Sequence, residues 1–258
     1  MAASALLART GAQDFAGAAA DDADVAAHNM AVIHQDIQDA ESARALAESA
    51  AAGYSTENEI IMAAPAFDIN NIQRPEGIIE GSNITKEVRH ELFGQVAGGA
   101  GSMRAEHWQR NKIVEGTGVQ CPSNTHIRIN TRTGQLEKKP RPNVHENGFD
   151  YTEDFDGFQP ILQLLLYYNL KCIVGSGGAQ TRSLREVYHF VEAQAKFLLN
   201  NDDYIFVNIL DGDQCSKHMD KFEYLLSLPE YQTVREKIYV GDLYSYFDWL
   251  RTRLERLN

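Results

Sequence analysis

Two apolar runs too short to be helices bracket an amphipathic stretch, and that order limits the possible folds more than any other feature of the chain. Residues 167–174, Tyr-Tyr-Asn-Leu-Lys-Cys-Ile-Val, and residues 204–210, Tyr-Ile-Phe-Val-Asn-Ile-Leu, have the aromatic and branched composition of internal strands. Between them, 184–199 carries apolar residues at 184, 187, 190, 191 and 198, the spacing of one helix face. Strand, helix and strand in succession predict a parallel pair joined by a crossover helix. Upstream, 126–131 alternates in polarity, Thr133-Gly134 supplies a turn and 135–139 returns, which predicts a hairpin. Downstream come a helix near 219–226, a short strand at 237–240 and a helix over 244–257. The whole predicts an α/β domain with a mixed central sheet flanked by helices.

The N-terminal part has a different character. Residues 1–53 contain twenty alanines, and a helical run over 25–52 offers only Val25, Ile33, Ile37 and Leu46 as an apolar stripe. Such a helix is marginal without a partner. An Ala-rich acidic extension over 1–58, helical or disordered, is therefore expected ahead of one α/β domain over 59–258. A helix is expected over 84–96, opened by Ser82 or Asn83 and closed by Gly98-Gly99.

Charge follows the same division. The net charge is −12, of which residues 1–60 supply −8 through ten acidic and two basic side chains. That total excludes a protein whose entire surface attracts nucleic acid. Residues 74–141 reverse the sign, with eleven Lys and Arg against seven Glu, enough to line a groove for a polyanion. No segment approaches the roughly 20 consecutive apolar residues of a membrane span. Cys121, Cys172 and Cys215 are few and far apart, as free thiols in a reducing, cytoplasmic setting would be.

The densest polar feature is Glu153-Asp154-Phe155-Asp156-Gly157. Three carboxylates this close resist ionising together unless a cation such as Mg²⁺ is shared among them. Alternation along the 167–174 strand puts Asn169 and Lys171 on one face. A lysine on an inner strand needs a negative partner or a cavity. Asp156 lies thirteen residues before Asn169, room for a turn and a return. Asp156, Asn169 and Lys171 are thus expected to meet.

An Asp, a gap of this size, and then x-Lys on the next strand before a long helix and another apolar strand resembles the PD-(D/E)XK nuclease core of type II restriction endonucleases. The residues carrying the resemblance are Thr152-Glu-Asp-Phe-Asp-Gly157, Asn169-Leu-Lys171 and Gly177-Gly-Ala-Gln-Thr-Arg-Ser-Leu-Arg-Glu-Val-Tyr188, within 120–240. It implies a restriction-endonuclease-like core that hydrolyses double-stranded DNA at a short specific sequence. Asp156, Asn169 and Lys171 would be catalytic, and Asp156, Asp154, Glu153 and the Leu170 carbonyl would hold Mg²⁺. Gln180, Arg182 and Arg185 would contact DNA, and a palindromic site would favour a homodimer. Asn169 departs from the family's Asp or Glu and is a weaker ligand for a hard cation. Either Glu153, Asp154 or Glu91 substitutes, or metal binds weakly, or the chain is a non-cleaving DNA-binding relative.

A nucleotide-utilising transferase is the other alternative. It would use the Gly175-Ser-Gly-Gly178 turn as a phosphate cradle and Asp211-Gly-Asp213 as a metal-diphosphate grip. The glycine spacing matches neither dinucleotide nor P-loop fingerprint. The histidines show no metal-binding spacing, and no Gly-x-Ser-x-Gly nucleophile motif occurs.

Overall fold

The apolar run around Tyr167 forms a strand paired on both sides. A computed structural model describes residues 67–94, 99–123, 127–138, 150–175 and 177–256. The extension expected over 1–58 lies outside the described residues, as do His126 and His145.

In chain order the described elements are α1 (Lys86–Phe93), α2 (Gly99–Thr117), β1 (Ile127–Ile129), β2 (Leu136–Lys138), β3 (Gly157–Ile161), β4 (Leu164–Cys172) and α3 (Gly178–Leu198). Then follow β5 (Tyr204–Asp211), the short α4 (Asp213–Ser216), α5 (Met219–Ser227), β6 (Ile238–Gly241) and α6 (Leu243–Glu255). The central sheet has the order β3-β4-β5-β6. Strand β3 is antiparallel to β4, while β4-β5 and β5-β6 are parallel. The sheet is mixed and flanked by helices, as the order of elements predicts.

Side-chain alternation on β4 assigns the two layers. Leu165 and Tyr167 pack with Phe206, with Val187, Phe190 and Val191 of α3, and with Phe222 of α5. Leu166, Tyr168 and Leu170 face the other way, toward Ile113 of α2 and Leu243, Tyr246 and Phe247 of α6. Both faces are covered, which is why β4 and β5 read as nearly continuous apolar runs.

Three expectations change. The hairpin at 126–139 does not enter the central sheet. Its strands β1 and β2 form a separate two-stranded sheet, and the antiparallel edge is β3. With three residues per strand and Ile129 as its buried anchor, the hairpin packs on the α3 layer.

Helix α1 starts later and ends earlier than 84–96. Thr85 caps it, its Oγ1 accepting from the Val88 N–H at 3.4 Å, and Gly94 stops it at φ 75°. Ser82 and Asn83 sit in a preceding 3₁₀ turn.

Helix α2 is not anticipated at all. Its buried side includes Gln109 and Arg110 beside Ile113, so no clean apolar stripe marks it. Among the described residues no helix is long and apolar enough to cross a membrane. Cys121, Cys172 and Cys215 are free thiols.

Candidate active site

Phe155 positions the acidic cluster. Its ring is fully buried, stacked on Phe206 at 5.3 Å and close to Phe190 at 4.8 Å. That anchor fixes the chain on either side. Asp154 pairs with Arg128 of β1. Asp156 turns to β4, where its N–H donates to the Tyr168 carbonyl at 2.7 Å and its Oδ2 accepts from the Leu170 N–H at 2.8 Å.

Lys171 meets the need of a cation on an inner strand. Its ammonium, on a side chain only 16% exposed, reaches Glu153 Oε2 at 3.0 Å and Asp156 Oδ2 at 3.9 Å. Burial works against the Lys171 charge, but the carboxylates of Asp156, Glu153 and Glu106 outweigh it and hold the ammonium well above its ordinary range. Burial also raises the Asp156 carboxyl from 3.8 to about 7; Lys171 and the Leu170 N–H pull it down, while Glu106 and Glu153 push it up.

Helix α2 supplies what the sequence reading missed. Besides Glu106 it carries Arg110, whose guanidinium donates to the Asp156 carbonyl at 3.5 Å, and Gln109, whose Nε2 donates to the Lys171 carbonyl at 3.2 Å and to Asp211 Oδ2 at 2.7 Å. The second oxygen of Asp211 accepts from Leu243 N at the start of α6 at 3.0 Å. Burial raises Asp211 from 3.8 to about 7 against these two hydrogen bonds. The site thus lies where the C-terminal ends of β4 and β5 meet α2, a usual location for ligands in open α/β sheets.

The remaining expected residues fall as follows. Asn169 is fully buried and its Nδ2 donates to Asn208 Oδ1 at 3.2 Å, in an amide network shared with Gln194 of α3, while its Oδ1 has no hydrogen-bond partner among the described residues. It contributes no amide to the Asp156–Lys171 pair in this arrangement. Asp154, expected among the metal ligands, is instead neutralised by Arg128, because residues 154 and 156 flank the buried Phe155 and find different partners. Leu170 engages Asp156 through its N–H. Glu91 is exposed on α1, and Glu106 is the upstream-helix carboxylate whose charge acts on Asp156. On α3, Arg182 and Arg185 are exposed and Gln180 is half-buried.

The two transferase features touch each other. Gly175 N–H donates to Asp213 Oδ1 at 3.3 Å, and Lys217 pairs with Asp213 Oδ2 at 3.0 Å. The carboxylates of Asp211 and Asp213 are therefore engaged separately. Burial pushes the Cys172 thiol up to about 12, which excludes a thiolate nucleophile there near neutral pH.

In donor type the site fits a hard divalent cation. Asp156 and Glu153 offer carboxylate oxygens around Lys171, and the charges of Glu106 and Glu153 add to the burial that raises the Asp156 carboxyl. Among the described residues no three Asp, Glu, His or Cys side chains form a ready-made metal cluster. Asp156 with one further carboxylate, completed by water and phosphate oxygens, is the manner in which Mg²⁺ is usually bound. No family model, no curated protein and no solved structure matches the chain, so the site's own chemistry carries the functional argument.

Proposed function

We propose that the chain is a Mg²⁺-dependent endonuclease that hydrolyses phosphodiester bonds of double-stranded DNA at a short sequence, in the manner of restriction enzymes of the PD-(D/E)XK type. The observation that carries this is the Lys171 ammonium 3.9 Å from the Asp156 carboxylate at the strand ends, beside Glu153 and under the charge of Glu106. Asp156 with Glu106 or Glu153 would hold the ion. Bound there, it would lower the pKa of a water and offset charge building on the phosphate. Lys171, a compact point charge, would steady the anionic transition state, and Gln109 would hold the strand carbonyl next to it in place.

Glu153 and Glu106 supply the acidity that Asn169 lacks. A palindromic target would be matched by a homodimer, and three free thiols suit a reducing cytoplasm.

Incubation of the purified protein with plasmid DNA, in Mg²⁺ and then in EDTA, tests the proposal. Discrete fragments in Mg²⁺ alone are expected. Asp156→Asn and Lys171→Ala should each reduce cutting about a thousandfold with the circular dichroism spectrum unchanged. Undiminished cutting by either variant overturns the assigned roles, and retention of DNA without any cutting points to a non-cleaving relative.

A further inference from the structure

A second site lies outside the acidic one, in a cavity of about 350 Å³ between α3 and α5. Leu184, Tyr188 and Phe222 form its inner, mostly buried wall. Arg185, His189, His218 and Lys221 line the more exposed part, with the Thr181 hydroxyl at one end. None of the lining residues is a carboxylate. Among the described residues neither Arg185 nor Lys221 takes part in a salt bridge, while the lining His189 has its Nδ1 3.6 Å from Glu192 Oε2.

In a chain of net charge −12 the overall field repels anions, and Arg185 and Lys221, without a carboxylate partner among the described residues, set two positive charges on one cavity against it. The volume falls in the range of small-molecule pockets, and the combination of apolar wall and few polar groups is what such pockets use. A planar ring would bury against Tyr188 and Leu184 while a phosphate reached Arg185 and Lys221. A bare inorganic anion would leave the apolar wall uncovered. A neutral ring would leave the two cations unanswered.

We infer that this cavity binds a nucleoside monophosphate, with its phosphate on Arg185 and Lys221 and its base against the Leu184–Tyr188 wall. The nucleotide is either free or the 5′-phosphorylated end of a DNA strand. The assignment uses none of the residues of the Asp156 site, and of its lining only Arg185 is also a DNA contact in the nuclease resemblance.

Titration calorimetry on the full chain at low salt, with thymidine monophosphate, thymidine, inorganic phosphate and a 5′-phosphorylated oligonucleotide as probes, tests it. Thymidine monophosphate is expected to bind at least about tenfold more tightly than thymidine or phosphate. Arg185→Glu with Lys221→Glu should remove that binding while the thermal unfolding midpoint stays unchanged. Binding of the phosphorylated oligonucleotide alone, lost in the same double variant, supports the strand end as the source. Equal binding of phosphate and nucleotide means an adventitious ion only and overturns the inference. So does binding that survives the double variant, or the absence of binding by every probe.

Discussion

The Gln109 side chain donates to Asp211 Oδ2 at 2.7 Å and to the Lys171 carbonyl at 3.2 Å, so one amide on α2 joins the ends of two neighbouring strands. Asp211 is 1% exposed, and its other oxygen receives the Leu243 N–H. A buried carboxylate is here the common acceptor for two helices packed on the sheet. The strand end that carries Lys171 is held by this buried network.

Asp211→Ala should therefore leave the Leu243 N–H without its acceptor and Gln109 Nε2 with the Lys171 carbonyl alone, and cost about 2–4 kcal/mol, read by urea unfolding. The pH dependence is the sharper test. The folded chain holds a proton on Asp211 up to about pH 7 against an ordinary value of 3.8, so folding gains from the protonated form. That contribution is full below the unfolded value and is lost as pH rises through about 7. Asp211→Asn should remove this component and flatten the stability profile across that window. A variant whose profile runs parallel to the parent's would assign the titration elsewhere.

Glu106→Gln should lower the Asp156 pKa in the metal-free protein, because a like charge that pushes it up is removed. Lys171→Ala should move it the opposite way, since the lysine is the main charge holding the carboxylate ionised. Carboxyl carbon chemical shifts followed through a pH titration report both directions. Identical Asp156 titrations in parent and Glu106→Gln would mean that α2 does not act on the site.

Restoring the acidic residue of the resembled motif at position 169 should not create a better site. The Asn169 Nδ2 faces Asn208 Oδ1, while Asn208 Nδ2 is already committed to Gln194 and the Tyr239 carbonyl. Asn169→Asp sets oxygen against oxygen in a fully buried place and should cost about 2–4 kcal/mol near neutral pH. The loss should shrink in acid, where the new carboxyl is protonated and can donate. A variant as stable as the parent, with tighter Mg²⁺ binding, would reverse this account of the residue.

Gly212 has φ 107°, and a Cβ there would stand 2.1 Å from the Ile173 carbonyl oxygen. Both the backbone conformation and the space exclude a side chain. Gly212→Ala is expected to cost about 3 kcal/mol, measured by thermal or urea unfolding. A near-neutral result would mean that the β5–α4 turn relaxes without disturbing the end of β4.

The order of elements was legible because burial on both faces imposes a composition. Strands β4 and β5 sit between two apolar layers, so their residues are apolar almost throughout, and the helix between them shows a single stripe because only one of its faces is covered. The start of α3, with Gln180 half-buried and Thr181 and Arg182 exposed, lies ahead of that stripe and escapes it. Strand β3 was visible only as a turn and a return, since two of its three buried positions are Gly157 and the polar Gln159, which leaves Ile161 alone to mark the buried face.

The chain's own order of residues determined that Lys171 must be charged, inward and in need of an acid, because a lysine cannot enter an inner strand on other terms. It also determined that Asp156 was near enough along the chain to answer. Which acids gather there was decided by tertiary structure alone. Phe155 inserts between Phe190 and Phe206 and thereby sends Asp154 to Arg128 and Asp156 to β4. Glu106 and Gln109 arrive from a helix whose buried side is partly polar, and such a helix carries no apolar period to announce it. Local periodicity records which faces are buried, whereas the partners of a buried charge are fixed only when distant elements pack.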